Sequence, residues 1–196
     1  GAQTARYQWD LADLYASDAA WEAAFSAAQK RIEGLARHKG TLGRDAATML
    51  AAYRDISGTM KDAYRIYMFA SLTRDEDQRV PASQARFGRV QALLAGLGEN
   101  TSWVSPELLA IGSEKIESFL AAEKGLEPFS YQLRDAVRMA PHTLDDQGEA
   151  MLAGAALALG QPQQIYSLYA NASIPWPTVK LSDGTELRVD QAGYSR

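Results

Sequence analysis

From Trp21 onward, apolar residues recur at a spacing that an α-helix turns to one side. Trp21, Phe25, Ala28, Ile32 and Leu35 stand at i, i+4, i+7, i+11 and i+14, the repeat of a single helical face. Just ahead, Ser17 supplies a side-chain oxygen that can accept a bond from a free amide of the first turn. Lys39-Gly40 reads as the close of this helix, a cation at its negative end followed by a residue that tolerates left-handed φ. Such a stripe must be buried against others of its kind, and the same spacing returns along most of the chain.

Asp45 is expected to cap a second helix carrying Leu50 and Tyr53 that falters near Gly58. A third would then carry Met60, Tyr64, Tyr67 and Met68. Pro81, suited to a first helical position, opens a long helix through Val90, Leu93, Leu94 and Leu97. Ser105-Pro106-Glu107 reads as another start, leading into Leu108, Leu109 and Ile111. Ser113 begins a helix with Ile116, Phe119 and Leu120 that Gly125 ends, and Phe129, Leu133 and Val137 share the next one. Asp145 caps an alanine-rich segment reaching Leu159, Gly160 closes it, and Pro162 begins a short helix with Ile165 and Leu168. Trp103 and Trp176, both near prolines, read as packing anchors at chain reversals.

After Pro177 the period changes. The stretch TVKLSDGTELRV alternates apolar and polar residues on both sides of Asp183-Gly184, the signature of a hairpin closed by a type I′ turn. Val179 and Leu181 should face Leu187 and Val189. A lone hairpin is marginal in water, so it should dock on something. The final residues, DQAGYSR, read as a cap and an opening turn, which suggests that the natural polypeptide continues past Arg196. The expected fold is all-α: a multi-helix lobe over 1–176, then a small β-hairpin near 178–190 and the start of a further helix within 177–196.

Composition narrows the function classes. With 196 residues, 46% hydrophobic and 22% charged, the chain can bury an ordinary core. A net charge of −4 lacks the basic stripe expected of nucleic-acid binding. No apolar run is long enough to span a membrane, and the opening GAQTARYQWD has no signal-peptide core. The absence of cysteine excludes disulfides, thiolate catalysis and Cys-type zinc sites, and is compatible with a cytoplasmic location.

Few groups could do chemistry. His142 stands in APHTLDDQGEA, which superficially resembles a zinc-protease helix. That helix needs two histidines four apart so that both imidazoles reach one metal. Asp146 stands at the second position and Thr143 where the general-base glutamate belongs. His38 is distant in sequence and sits at a helix end. The segment reads as a boundary: Pro141 breaks, Leu144 packs before the cap, Asp145 caps. The residues three before the histidines, Leu35 and Met139, exclude the Glu-x-x-His pairs of a di-iron bundle. GLGEN (96–100) lacks the strand and the Lys-Ser/Thr of a phosphate loop, and no Gly-x-Ser-x-Gly elbow exists. RDEDQR (74–79) reads as a solvated turn, and Tyr64, Tyr67 and Phe69 as core rather than a ligand groove. The basic residues Lys30, Arg31, Arg37 and Lys39 suit a helix C-terminus. No catalytic, cofactor-binding or metal-ligating residue is assigned on this chain.

Five segments, in order, resemble the N-terminal region of the oligoendopeptidase F-like enzymes, relatives of thimet oligopeptidase. They are WDLADLYASDAAW (9–21), YMFASLTRDED (67–77), WVSPELLAI (103–111), RMAPHTLDDQGEAMLA (138–153) and VKLSDGTELRVDQAGY (179–194). Phe69 stands where tyrosine is common, Asp145 where serine caps, and Gly148 where an acidic residue is frequent. The resemblance implies a zinc metallo-endopeptidase that hydrolyses short peptides in a channel between helical lobes. Its His-Glu-x-x-His would lie downstream, in the polypeptide's own C-terminal catalytic domain. This chain would be a non-catalytic piece that helps to wall the channel, inactive alone, carrying no zinc and able to self-associate through its uncovered face. The competing reading is a free-standing α-helical interaction module without enzymatic activity.

Overall fold

A computed structural model describes residues 9–142 and 144–194. The chain divides into two compact units, Gly1–Leu159 and Gly160–Arg196. Helices dominate the first, and the second adds a two-stranded sheet.

Helix α1 spans Asp18–Gly34. Its cap is the expected one, the amide of Ala20 donating to Ser17 Oγ at 3.2 Å. All five stripe residues are buried. The closure differs from expectation: the α-helix stops at Gly34, and Leu35–His38 tighten into a 3₁₀ turn before Lys39 and Gly40 turn the chain away.

The largest departure is α2, Ala46–Glu76, one uninterrupted helix of 31 residues where a break near Gly58 and two helices were expected. Asp45 does cap it, accepting from the amide of Thr48 at 2.7 Å. A mid-helix glycine costs about 1 kcal/mol relative to alanine. Burial of Ala52, Tyr53, Thr59, Ala63 and Ile66 around it outweighs that, at roughly 1.5–3 kcal/mol for a large apolar side chain. Gly58 has a further use: a β-carbon there would stand 3.0 Å from a guanidinium nitrogen of Arg31, so the bare backbone leaves that side chain room to cross α2.

Helix α3 runs Pro81–Thr101, opened by the proline as expected. Helix α4 is Val104–Ile111, beginning before the expected Ser105-Pro106 start. Trp103 is already helical in backbone, and the Glu107 amide donates to its carbonyl at 3.1 Å, closing the first turn. Helix α5, Ser113–Ala122, ends ahead of Gly125, and a 3₁₀ segment, Lys124–Phe129, leads into α6, Ser130–Arg138.

Two hydrophobic clusters fill the first unit. One packs Trp21, Phe25 and Ile32 of α1 against Ile66 and Phe69 of α2 and Val90, Leu93 and Leu97 of α3. Trp21 is fully buried and its indole N–H donates to the Ile66 carbonyl at 3.1 Å. The other packs Met49, Leu50 and Tyr53 of α2 with Trp103, Leu108, Ile116, Leu126 and Leu133. Ile56 touches both clusters. The length of α2 is therefore what joins them.

Helix α7, Asp146–Leu168, continues through Gly160 and Pro162, where an end and a new start were expected. Proline removes one hydrogen bond and crowds the preceding turn; good helix formers on both sides, Ala155–Leu159 and Gln163 onward, outweigh that single loss. Asp145 accepts from the Gly148 amide at 2.8 Å, and Glu149 accepts from the Leu144 amide at 2.9 Å, so the expected cap holds. In the second unit a π-helical turn, Tyr169–Ser173, follows, and the Trp176 indole N–H donates to the Ala170 carbonyl at 2.9 Å, anchoring the reversal.

Strands β1 (Thr178–Lys180) and β2 (Glu186–Arg188) pair antiparallel with Val179 opposite Leu187, but the expected facing of Leu181 and Val189 is not kept: the Leu181 amide meets Thr185, and the Val189 amide meets Pro177. The turn is not type I′, which needs positive φ at both central residues. Only Gly184 is positive, at 85°. Its amide donates to the Leu181 carbonyl at 2.9 Å, while the Leu181 amide donates to Thr185 O at 2.9 Å. This is the longer loop in which a turn is followed by a left-handed glycine. The Asp183 carboxylate accepts from the Thr185 amide at 2.9 Å, and so favours that loop. The opening turn read at the C-terminus is α8, Gln191–Tyr194, capped by Asp190, whose Oδ1 accepts from Gly193 at 2.8 Å.

Candidate functional site

The two histidines lie in different settings. His142 ends a 3₁₀ turn, Ala140–His142, exposed, with its amide donating to the Met139 carbonyl at 2.8 Å. It marks the expected boundary; Thr143 lies outside the described residues. His38 is mostly buried and its Nε2 stands 3.0 Å from Asp55 Oδ2. Among the described residues no group of three His, Cys, Asp or Glu side chains is placed to hold a metal ion. These residues therefore do not fit a zinc centre.

The polar centre that sequence reading missed is Asp55. It projects from α2 and receives Arg37 Nη2 at 2.7 Å, His38 Nε2 at 3.0 Å and Arg31 at 3.5 Å, while Arg31 also pairs with Asp62. Burial alone would raise the Asp55 carboxyl. The His38 hydrogen bond and the Arg37 charge, with lesser contributions from the charge of His38 and a bond from Arg31, outweigh it and hold the group below its usual value. Two of the four basic residues assigned to a helix terminus, Arg31 and Arg37, are thus engaged by a carboxylate from another helix. Nothing at i±3 or i±4 announces that pairing, which is why the sequence hides it.

A second missed carboxylate is Glu107 of α4. Its two oxygens accept the amides of Gly40 and Leu42, both at 2.7 Å, clamping the loop between α1 and α2. The charged run 74–79 is only in part the expected solvated turn: Arg74–Glu76 end α2, with Arg74 packed over the Phe87 ring, and beyond them Arg79 sits on Asp77 at 2.9 Å, its hydrogen bonds lowering the Asp77 carboxyl to about 2. The expected aromatic group is core only in part, although Tyr64 and Tyr67 remain in edge contact with centroids 6.4 Å apart. Phe69 joins the core and Tyr67 packs on Phe87 with centroids 5.9 Å apart, but Tyr64 is 55% exposed, with Met60 and Met68 also turned outward.

An open groove of about 320 Å³ lies between α1 and α3, floored by Phe25, Ile32 and Leu93 and rimmed by Glu33, Arg89 and Asn100. Its one cation is committed: Arg89 grips both oxygens of Glu22 at 2.7 Å. The described residues of this chain thus offer a helical scaffold tied by ion pairs between its helices.

The family described as Oligopeptidase F matches residues 107–175. Similarity extends far beyond that segment. Oligopeptidase PepF of Bacillus subtilis is 28% identical over 186 residues, 95% of this chain and 28% of that protein. Group B oligopeptidase PepB of Streptococcus agalactiae is 26% identical over 189 residues, 96% of this chain and 31% of that one. The crystal structure of oligoendopeptidase-F from Enterococcus faecium is similar with a TM-score of 0.79 at 25% identity, covering 91% of this chain and 35% of that one. The chain spans about 30% of the length of the curated relatives it matches.

Proposed function

We propose, from the premise that this chain is homologous to the N-terminal region of oligoendopeptidase F peptidases, that it is the non-catalytic helical lobe of a zinc-dependent peptidase acting on short peptides. The observation carrying this reading is the pairing of near-complete coverage of this chain with under a third of its relative PepF. In it, residues 1–176 form a lobe that helps to wall a substrate channel, and 177–196 lead toward a catalytic domain supplied by the same polypeptide. Zinc and the residues that hold it belong to that other portion. A cytoplasmic location is part of the same reading; among the described residues no helix is long and apolar enough to cross a membrane.

The experiment is direct. The purified chain, assayed with a quenched fluorescent peptide and titrated with zinc, is expected to show neither turnover nor stoichiometric metal uptake. The reading frame beyond codon 196 is expected to encode His-Glu-x-x-His. Chelator-sensitive cleavage by the pure chain, or a frame lacking that motif, overturns the proposal.

A further inference from the structure

The two hydrophobic clusters draw on separate stretches of α2. Met49, Leu50, Ala52 and Tyr53 enter one, and Ala63, Ile66, Phe69 and Ala70 the other. Between Tyr53 and Ala63 the only apolar side chain packed on either cluster is Ile56, which is partly buried. Gly58 stands in that gap. A helix bends most readily at glycine, because that residue has the widest backbone freedom. The next residue adds to this: the buried Thr59 hydroxyl donates to the Asp55 carbonyl at 2.8 Å, sharing an acceptor of the helical ladder, an arrangement that bends helices. The chain passes between the clusters at two further places, 36–41 and 98–102. Each again holds a glycine: Gly40, with φ at 78°, and Gly98, where a β-carbon would meet nothing within 4 Å. Every crossing thus contains a residue able to absorb a backbone rotation.

The crossings are fastened, and the fastening at Gly58 is Arg31. From α1 its guanidinium pairs with Asp55 at 3.5 Å and also with Asp62, carboxylates that lie just before and just after Gly58 along α2. One cation therefore straddles the bend point. At the other crossings Glu107 holds the amides of Gly40 and Leu42, and the Trp103 indole N–H donates to the Asn100 carbonyl at 2.7 Å. We propose that Gly58 is a pivot in α2, about which α1 and α3 on one side and α4, α5 and α6 on the other can swing, and that Arg31 is the brace that holds the pivot straight. This goes beyond the function proposed above and does not depend on it. The side chains of Arg31 and Asp62 are 42% and 51% exposed, so the brace is weak and can be released without unfolding either cluster.

The test is made on the 196-residue chain. Arg31→Met keeps the aliphatic stem and removes the charge. Amides 57–62 should then exchange roughly 5-fold faster, while amides 49–53 and 66–70 keep their protection. Asp62→Asn should act in the same direction and by less, because Asp55 still receives Arg31. Adding Gly58→Ala to Arg31→Met should return the exchange to near its original rate; the one side-chain atom that the new β-carbon approaches is the Arg31 nitrogen already removed. The swing itself is read by spin labels. The chain has no cysteine, so labels go on Ala27→Cys in α1 and Glu114→Cys in α5, both exposed positions. The distance distribution between them should broaden in Arg31→Met and narrow again once Gly58→Ala is added. Faster exchange spread evenly along α2 would show Arg31 to be a general stabiliser and would overturn the proposal. A distance distribution that Arg31→Met leaves unchanged, or a failure of Gly58→Ala to reverse the local loss, would do the same.

Discussion

Asp55 and Glu107 are the side chains on which the first unit's polar order rests. Asp55 is held ionised below its ordinary value, so folding favours the charged form. Its contribution to stability is complete above the unfolded carboxylate pKa of about 3.9 and is lost as pH falls through the lower folded value. Asp55→Asn should therefore cost about 1–3 kcal/mol near neutrality, the range for stranding a partly buried polar partner. The gap from wild type should close in chemical denaturation series carried below about pH 4. Glu107→Ala should cost roughly 1–2 kcal/mol, mostly by leaving the part-buried Leu42 amide without an acceptor, since water can replace Glu107 at the exposed Gly40 amide. Faster exchange at Gly40 and Leu42 would locate that loss, and unchanged exchange there would contradict the clamp.

Among the elements, α2 and the hairpin show opposite balances between local and distant forces. Gly58→Ala gains up to about 1 kcal/mol of helix propensity but pushes on Arg31, whose guanidinium already lies 3.0 Å from the new atom. Arg31 is long and its side chain is 42% exposed, so it can swing aside. The expected result is a net rise in thermal stability of under about 1 kcal/mol, with the Arg31–Asp62 pair weakened. Gly58→Pro should instead cost about 3 kcal/mol or more, because proline cannot continue an interior turn. In the hairpin the constraint is local. Gly184→Ala imposes positive φ on an alanine and should cost about 1–2 kcal/mol of hairpin stability, visible as loss of the cross-strand Val179–Leu187 contact in nuclear Overhauser spectra.

For the molecule, the question is how two hydrophobic clusters act as one body. Both draw on α2, and Ile56 touches each. Ile66→Ala in one cluster and Leu126→Ala in the other, both fully buried sites, should each lower stability by about 2–5 kcal/mol. Each should also shift one cooperative unfolding transition rather than split it. Two separated transitions would mean that α2 melts in halves. The second unit, with Ile165, Tyr166 and Tyr169 exposed, should register as fast exchange outside this transition.

Local spacing carried the helical class, the caps at Ser17, Asp45 and Asp145, the apolar stripe from Trp21 to Leu35 and the presence of a hairpin around Asp183-Gly184, because each depends on neighbours within a few positions. The sequence also carried, in its ordered motifs, the similarity to oligoendopeptidase F enzymes. Whether those local signals were obeyed was settled by packing between segments distant in the chain. Gly58 stays helical because both cores grip α2 around it, and glycine and proline inside α7 were outweighed by their flanks. Arg31 and Arg37 reach across to Asp55, and Glu107 binds a loop more than sixty positions upstream. These last are meetings of residues far apart along the chain, fixed by the packing of helices on one another, and a one-dimensional spacing holds no record of them.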